Sequence, residues 1–336
     1  MPTPHIVLLP GVGIGPEVMN SAVEALKAVG EFEFEEHSIG AGSAFADGQA
    51  LSEKTLTACQ QADAVLLGAV SNPRELLELR DGLGLYANLR PVKPFSELYP
   101  ASPLKRNVLE GNRKVDEGVN LLIVRELTGG IYYGRKERTR EQATDVCTYS
   151  REQINRVAHR AFQAAATKVT SVDKANVLDT SRLWREVVTE LHEQNYAHLE
   201  LNHVLVDNAA MLLVTEPSRF DVILTENMFG DILSDLAATI PGSIGLLPSA
   251  SLGDQRPGLF EPVHGSAPDI AGRGRANPIA MILSAAMMLD YGLGMNYEAN
   301  RIRRAVWLAI SKGLLTPDLG GSHDTASATK QILKYV

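Results

Sequence analysis

His5–Gly30 reads HIVLLPGVGIGPEVMNSAVEALKAVG, and its change of rhythm decides the fold class. Ile6–Pro10 is a short apolar run of the kind found in buried strands. The cluster Gly11, Gly13 and Gly15 follows, and Pro16 then opens a helix with Val18, Ala22, Val23, Leu26 and Val29 on one face. Strand, glycine turn and helix in that order begin an α/β unit. The glycines lack the G-x-G-x-x-G spacing, and no clear ribose-binding acid follows the next strand, so a Rossmann fingerprint is not present.

The same alternation continues outward. Ala64–Val70 reads as a second buried strand, closed by a turn at Ser71-Asn72-Pro73. Further strands are expected at Leu121–Arg125, Val169–Val172, His203–Val206 and Asp221–Thr225, with helices over Ile154–Lys168 and Leu183–His192. Gly130–Ser150 breaks the pattern, with Tyr132 and Tyr133 followed by Arg135, Lys136, Glu137, Arg138 and Arg140. It reads as an extended arm for contact with another subunit, or equally as a solvated hairpin. No internal repeat or low-complexity tract interrupts the chain.

With 336 residues there is room for two domain-sized lobes, and 45% apolar with 21% charged residues is an ordinary globular balance. A net charge of -8 disfavours nucleic acid as a partner, because an anionic surface repels phosphate. The N-terminal residues carry no secretory pattern, and no apolar run is long enough for a membrane span. Cys59 and Cys147 lie far apart outside any C-x-x-C pattern, so spare thiols in a reducing cytoplasm are expected.

Chemistry concentrates in Asn227–Ile240, NMFGDILSDLAATI. Phe229, Ile232, Leu233, Leu236 and Ile240 form a helical stripe expected to face the core. Asp231 and Asp235 lie one turn apart on the other side, where they could bind a hard divalent cation or simply form a solvated face. Asp207, at the end of the run HVLV, is a third carboxylate, placed where α/β folds carry functional groups. Arg80, Arg90 and Arg125 interrupt apolar surroundings; their forks suit a di-acid, and each also suits a structural ion pair. Lys174 follows a strand-like run, Tyr132 follows two glycines, and His264–Gly272 is a loop of small residues with one ring and one carboxylate.

From Leu8 to about Gly321 the chain carries, in order, LPGVGIGPEV, LYANLRPVK, VRELTGGIYYG, VDKANVL, VDNAAM, FGDILSDLA, PGSIGLLPSASLG and FEPVHGSAPDIAG. Taken together these resemble the β-decarboxylating dehydrogenases, which act on isopropylmalate, isocitrate, homoisocitrate and tartrate or D-malate. The resemblance implies a two-lobed α/β fold with a shared central sheet that is not a Rossmann fold. It places a larger cofactor-binding domain at residues 1–86 plus 243–336, and a smaller one with the arm, metal and catalytic residues at 87–242. It implies that Asp207, Asp231 and Asp235 bind Mg²⁺ or Mn²⁺, that Arg80, Arg90 and Arg125 hold the substrate carboxylates, and that Asp207 also faces substrate. Lys174 would be the base for the alcohol proton and Tyr132 the later acid. NAD would lie on His264, Gly265, Ser266, Ala267, Pro268, Asp269, Ile270 and Asn277, with His264 under the adenine and Asp269 on the ribose. The active site would be shared in a homodimer, with Lys174 and Asp207 supplied by the second subunit.

Within the family, ELTGG in place of ENTEG and the apolar pair Leu76 and Leu77 favour (2R,3S)-3-isopropylmalate, converted to 4-methyl-2-oxopentanoate in leucine biosynthesis. Val12 stands where relatives usually have Asp, the segment between Val70 and Arg80 is short, and Arg275 replaces an apolar residue. Asp324 replaces a common glycine, and Ala328 a common aromatic. Homoisocitrate, D-malate or tartrate as substrate, and a non-catalytic regulatory homologue, are the alternatives.

Overall fold

The structure, a computed structural model, describes residues 2–40, 51–104, 108–109, 113–114 and 118–336. The chain opens with β1 (His5–Gly11), α1 (Gly15–Lys27) and β2 (Glu33–Glu36). Then come α2 (Glu53–Gln61), β3 (Ala64–Ala69), α3 (Pro73–Gly82) and β4 (Ala87–Val92). Next are β5 (Leu121–Glu126), the hairpin β6 (Lys136–Arg138) and β7 (Ala143–Asp145), α4 (Arg151–Ala164) and β8 (Lys168–Asp173). They are followed by α5 (Asp179–Asn195), β9 (Glu200–Leu205), α6 (Val206–Thr215), β10 (Val222–Thr225) and α7 (Asn227–Ala238). The chain closes with β11 (Pro248–Leu252), β12 (Gly258–Pro262), α8 (Ile279–Met287), α9 (Asn296–Ser311) and α10 (Thr325–Leu333).

These elements form two compact units, one of Met1–Leu85, Phe95–Ala101 and Pro241–Val336, the other of Tyr86–Pro94 and Ser102–Ile240. In the first, the strands run β11-β12-β3-β1-β2. β12, β3, β1 and β2 are parallel neighbours, while β11 is antiparallel to β12. A parallel sheet is covered on both faces, which explains why β3 is apolar and buried at every residue. The α8 helix is apolar nearly all round and packs against β11, β12, α1 and α9, as a core helix must.

In the second unit the order is β9-β8-β10-β5-β4, parallel except for β4 against β5. The α4 helix begins at a full capping box, Ser150 with Gln153, three residues earlier than its apolar spacing indicates. It ends at Ala164, so the expected helix over Ile154–Lys168 is shifted, and Lys168 already belongs to β8.

Two further expectations are corrected. The strand placed at His203–Val206 ends at Leu205, whose extended backbone caps α6, so Asp207 lies in a first helical turn rather than at a strand end. On α7 the buried stripe is Phe229, Leu233 and Ala237, followed by Ile240; Ile232 is 59% exposed and Leu236 half-buried. The i, i+4 row faces the sheet, and Ile232 points off it.

Candidate active site

The second unit holds the three aspartates, Lys174, Tyr132 and two of the three arginines singled out from sequence. Arg90 on β4 and Arg125 on β5 sit on antiparallel neighbours, and Arg125 is paired in register with Asn88. The α7 helix starts close against β5 because Gly230 has no side chain; a Cβ there would lie 2.6 Å from Cγ of Arg125. That approach brings both guanidinium groups onto the two carboxylates of α7. Arg90 Nη1 donates to Asp235 Oδ1 at 3.0 Å and to Ser234 Oγ at 2.6 Å, and its Nη2 is 3.9 Å from Asp231 Oδ1. Arg125 Nη1 donates to Asp231 Oδ1, while Tyr132 Oη donates to Asp231 Oδ2 at 2.8 Å.

Burial opposes charge on Asp231, but Arg125, the Tyr132 hydroxyl and Arg90 outweigh it and hold the carboxyl below its usual range. Burial, together with that hydrogen bond to a carboxylate, pushes the Tyr132 phenol up to about 12. Tyr132 is therefore protonated near neutral pH, a donor placed beside anions. Both arginines are buried, which makes their charges strong anchors for an anion.

Lys174 and Asp207 form a separate pair, with Nζ donating to Oδ1 at 2.5 Å. The hydrogen bond from Lys174 lowers the pKa of the exposed Asp207. The backbone at Lys174 is tied on both sides: its N–H donates to Ser181 Oγ at 3.0 Å, and the next N–H, of Ala175, donates to buried Asp173. Asp173 also receives both arms of Arg185, each at 2.8 Å. Among the described residues no three His, Cys, Asp or Glu side chains of one chain assemble into a metal-sized group.

The first unit holds the remaining candidates. Arg80, near the end of α3, is buried and donates from Nη2 to Glu261 Oε1 on β12 at 2.8 Å. Among the described residues its buried Nε has no partner, an N–H still in need of an acceptor. Leu76 and Leu77 are half-buried, and Leu76 packs on the core cluster of Val7, Leu9, Val65 and Leu79. His264 is buried, its Nε2 is without a partner among the described residues, and burial lowers its pKa, so the ring is kept neutral. It is followed by the exposed Gly265, Pro268 and Asp269 and half-buried Ser266 and Ile270. Ala267 holds φ at 38°, a strained value for a residue with a side chain and a frequent mark of ligand loops. Ser266 O accepts from Ile14 N, and Gly13 packs against the same carbonyl. Asn277 is buried and bonded to Asp318 and to the backbone of Ile279, which fixes the end of the loop.

The departures also find places. Val12 N–H donates to Ala69 O, Arg275 is exposed, and Ala328 is buried in α10. Asp324 caps α10 by accepting from Ser327 N–H at 2.7 Å, a favourable replacement for glycine.

The profile of the isocitrate/isopropylmalate dehydrogenase family matches residues 5–336. The chain belongs to that family. It is 50% identical to a 3-isopropylmalate dehydrogenase of Oceanobacillus iheyensis over 99% of this chain and 94% of the relative. It is also 50% identical to one from Deinococcus radiodurans, over 98% and 97%. Among solved structures, the isocitrate dehydrogenase of Methylococcus capsulatus superposes with a TM-score of 0.89 at 36% identity, covering 99% of both chains. Membership makes the chain a decarboxylating dehydrogenase of mixed α/β architecture, as the motif order implied. Sequence reading missed Asn227, Glu261 and Asp173, which hold Arg125, Arg80 and the Lys174 turn respectively. Each lies inside a quoted motif, but only the folded contact shows its use.

Proposed function

We propose that this chain oxidises (2R,3S)-3-isopropylmalate with NAD and releases CO₂, yielding 4-methyl-2-oxopentanoate for leucine biosynthesis in the cytoplasm. The observation that carries this reading is the cluster on α7, where two buried guanidinium groups, a protonated phenol and two carboxylates meet. The names of the curated relatives at about half identity support the choice of substrate.

Arg90 and Arg125 bind the malate carboxylates through charge-assisted hydrogen bonds, and Arg80, with its spare Nε, contributes a third contact. Lys174 takes the proton of the 2-hydroxyl, and Tyr132 Oη returns a proton to carbon after CO₂ leaves. Asp207, Asp231 and Asp235 are hard oxygen donors suited to Mg²⁺ or Mn²⁺, and Asp231 is held ionised. When bound, such an ion acidifies the alcohol and stabilises negative charge on its oxygen. His264–Asn277 would hold NAD, which would accept the hydride; the buried neutral ring and the strained Ala267 support a ligand loop there. Leu77 and Leu76 face the isopropyl group.

The working form is a homodimer in which the Lys174–Asp207 pair of one subunit completes the Tyr132 cluster of the other. Met211 and Val214 on α6 and Ile232 on α7 support this, being 60%, 58% and 59% exposed, an apolar area unusual for a free surface.

The test follows NADH absorbance with 3-isopropylmalate, D-malate, tartrate and homoisocitrate, with metal and with chelator. Isopropylmalate is expected to give the highest kcat/KM, and chelator to abolish turnover. A better rate on another acid replaces the substrate, and silence on all four favours a non-catalytic homologue.

A further inference from the structure

Asn227 is the first residue of α7 and is 1% exposed. Its Oδ1 accepts from Arg125 twice, from Nε at 3.0 Å and Nη2 at 2.8 Å. Its Nδ2 donates to Gly129 O at 3.2 Å, at the start of the turn Gly130–Tyr132. Arginine has no acceptor, so these contacts fix which end of the amide is oxygen. The backbone N–H of Asn227 donates to Tyr149 Oη at 3.0 Å, and that hydroxyl donates in turn to Glu226 Oε2 at 3.0 Å. Both ends of the side chain are thus committed, and the residue cannot turn without losing three hydrogen bonds.

From these contacts we infer that Asn227 is a positioning residue that sets Arg125 and Tyr132 relative to each other. Its amide occupies one edge of the guanidinium, which leaves Nη1 directed at Asp231, the group Tyr132 also addresses. A carboxylate could occupy the same edge, but it would cancel the charge of Arg125. An amide holds the fork without setting a second negative charge beside the one that Asp231 already places against Arg125, so more of the positive charge is left for an anionic substrate. The Nδ2 contact ties the turn carrying Tyr132 to the same anchor. The inference rests on the reading of this cluster as a site for a hydroxy di-acid.

Two variants test it. Asn227→Asp is nearly isosteric, keeps the acceptor for Arg125 and removes the donor to Gly129 O. Its KM for 3-isopropylmalate is expected to rise at least about tenfold, with KM for NAD unchanged, because the anchoring charge is neutralised. Asn227→Ala removes both ends and is expected to lower kcat as well, since the Tyr132 turn is released. Calorimetric binding of the same acid gives a readout independent of turnover, with the weakening expected in Asn227→Asp. Thermal melts show whether each variant is folded, and Asn227→Asp alone suffices if Asn227→Ala is not. An Asn227→Asp enzyme whose substrate KM and affinity stay within twofold of wild type overturns the inference. A wild type that neither binds nor turns over any of the acids overturns the reading of the site instead.

Discussion

At Tyr132 the phenol is both deprived of water and hydrogen-bonded to an anion, and each effect favours the neutral form. Such a group donates a proton readily only when a stronger base forms next to it, as it would on a carbon that has lost CO₂. Tyr132→Phe keeps the ring near Arg125 and removes the donor. Its kcat is expected to fall about 100-fold or more with a smaller change in substrate KM, measured by steady-state NADH formation. A second titrating residue works on stability rather than catalysis. His203 is pushed down to about 4 by burial and by Arg185, from an ordinary 6.5. Between those values the unfolded chain binds a proton that the folded chain refuses, so acidification through this window destabilises the fold. Stability from this residue is complete above about 6.5 and is lost progressively toward 4, by up to about 3 kcal/mol. His203→Gln should flatten that part of the profile, read as the difference in urea midpoints at pH 7 and pH 4.5; an unchanged slope would contradict it. Neither behaviour is visible in sequence. The residue types were, but the burial that moves their protons depends on which strands and helices cover them.

At the scale of elements, periodicity located what local physics controls and misplaced what caps and packing control. The strand expected at Ala64–Val70 runs Ala64–Ala69, and Val18, Ala22 and Leu26 are buried on α1 as apolar spacing indicates, though Val23 is half-buried and Val29 lies beyond the helix. The start of α4 was not legible from spacing, since a Ser150 cap rather than an apolar residue sets it. Nor was the exposure of Ile232, because helical spacing names a stripe without saying how wide a face the sheet will cover. The glycine turn after β1 was legible as a turn, but its second use was hidden. Gly13 at φ +65° lies so close to Ser266 that a Cβ would come within 1.9 Å of its carbonyl oxygen. The β1–α1 turn therefore supports the loop after His264 from far away in sequence. Gly13→Ala is expected to displace that loop and raise KM for NAD about tenfold, with KM for the di-acid little changed. The check is steady-state kinetics varying each substrate with the other saturating. Equal effects on both would mean that the turn supports the fold in general rather than the loop after His264.

For the whole molecule, the motif order made the family legible, and the resemblance implied a site to which the second subunit supplies Lys174 and Asp207, a sharing that the spacing of residues in one chain does not itself reveal. In the folded chain Lys174 is bonded to Asp207, while Tyr132, Arg90 and Arg125 gather on Asp231 and Asp235. A shared site makes a sharp demand on mixtures. Lys174→Ala and Asp231→Asn should each be nearly inactive as pure proteins. In a hybrid dimer, one site collects both lesions and the other collects none. Random reassortment makes about half of the dimers hybrid, so about a quarter of all sites are intact. Co-refolding equal amounts of the two inactive proteins should therefore recover about a quarter of wild-type activity, rising and falling with the hybrid fraction measured by native mass spectrometry. If each chain instead built its whole site alone, every site in every mixture would carry a lesion and no activity would return. Met211→Asp gives the companion result: a charge on the exposed apolar face of α6 should shift the protein toward monomer and lower its activity in proportion.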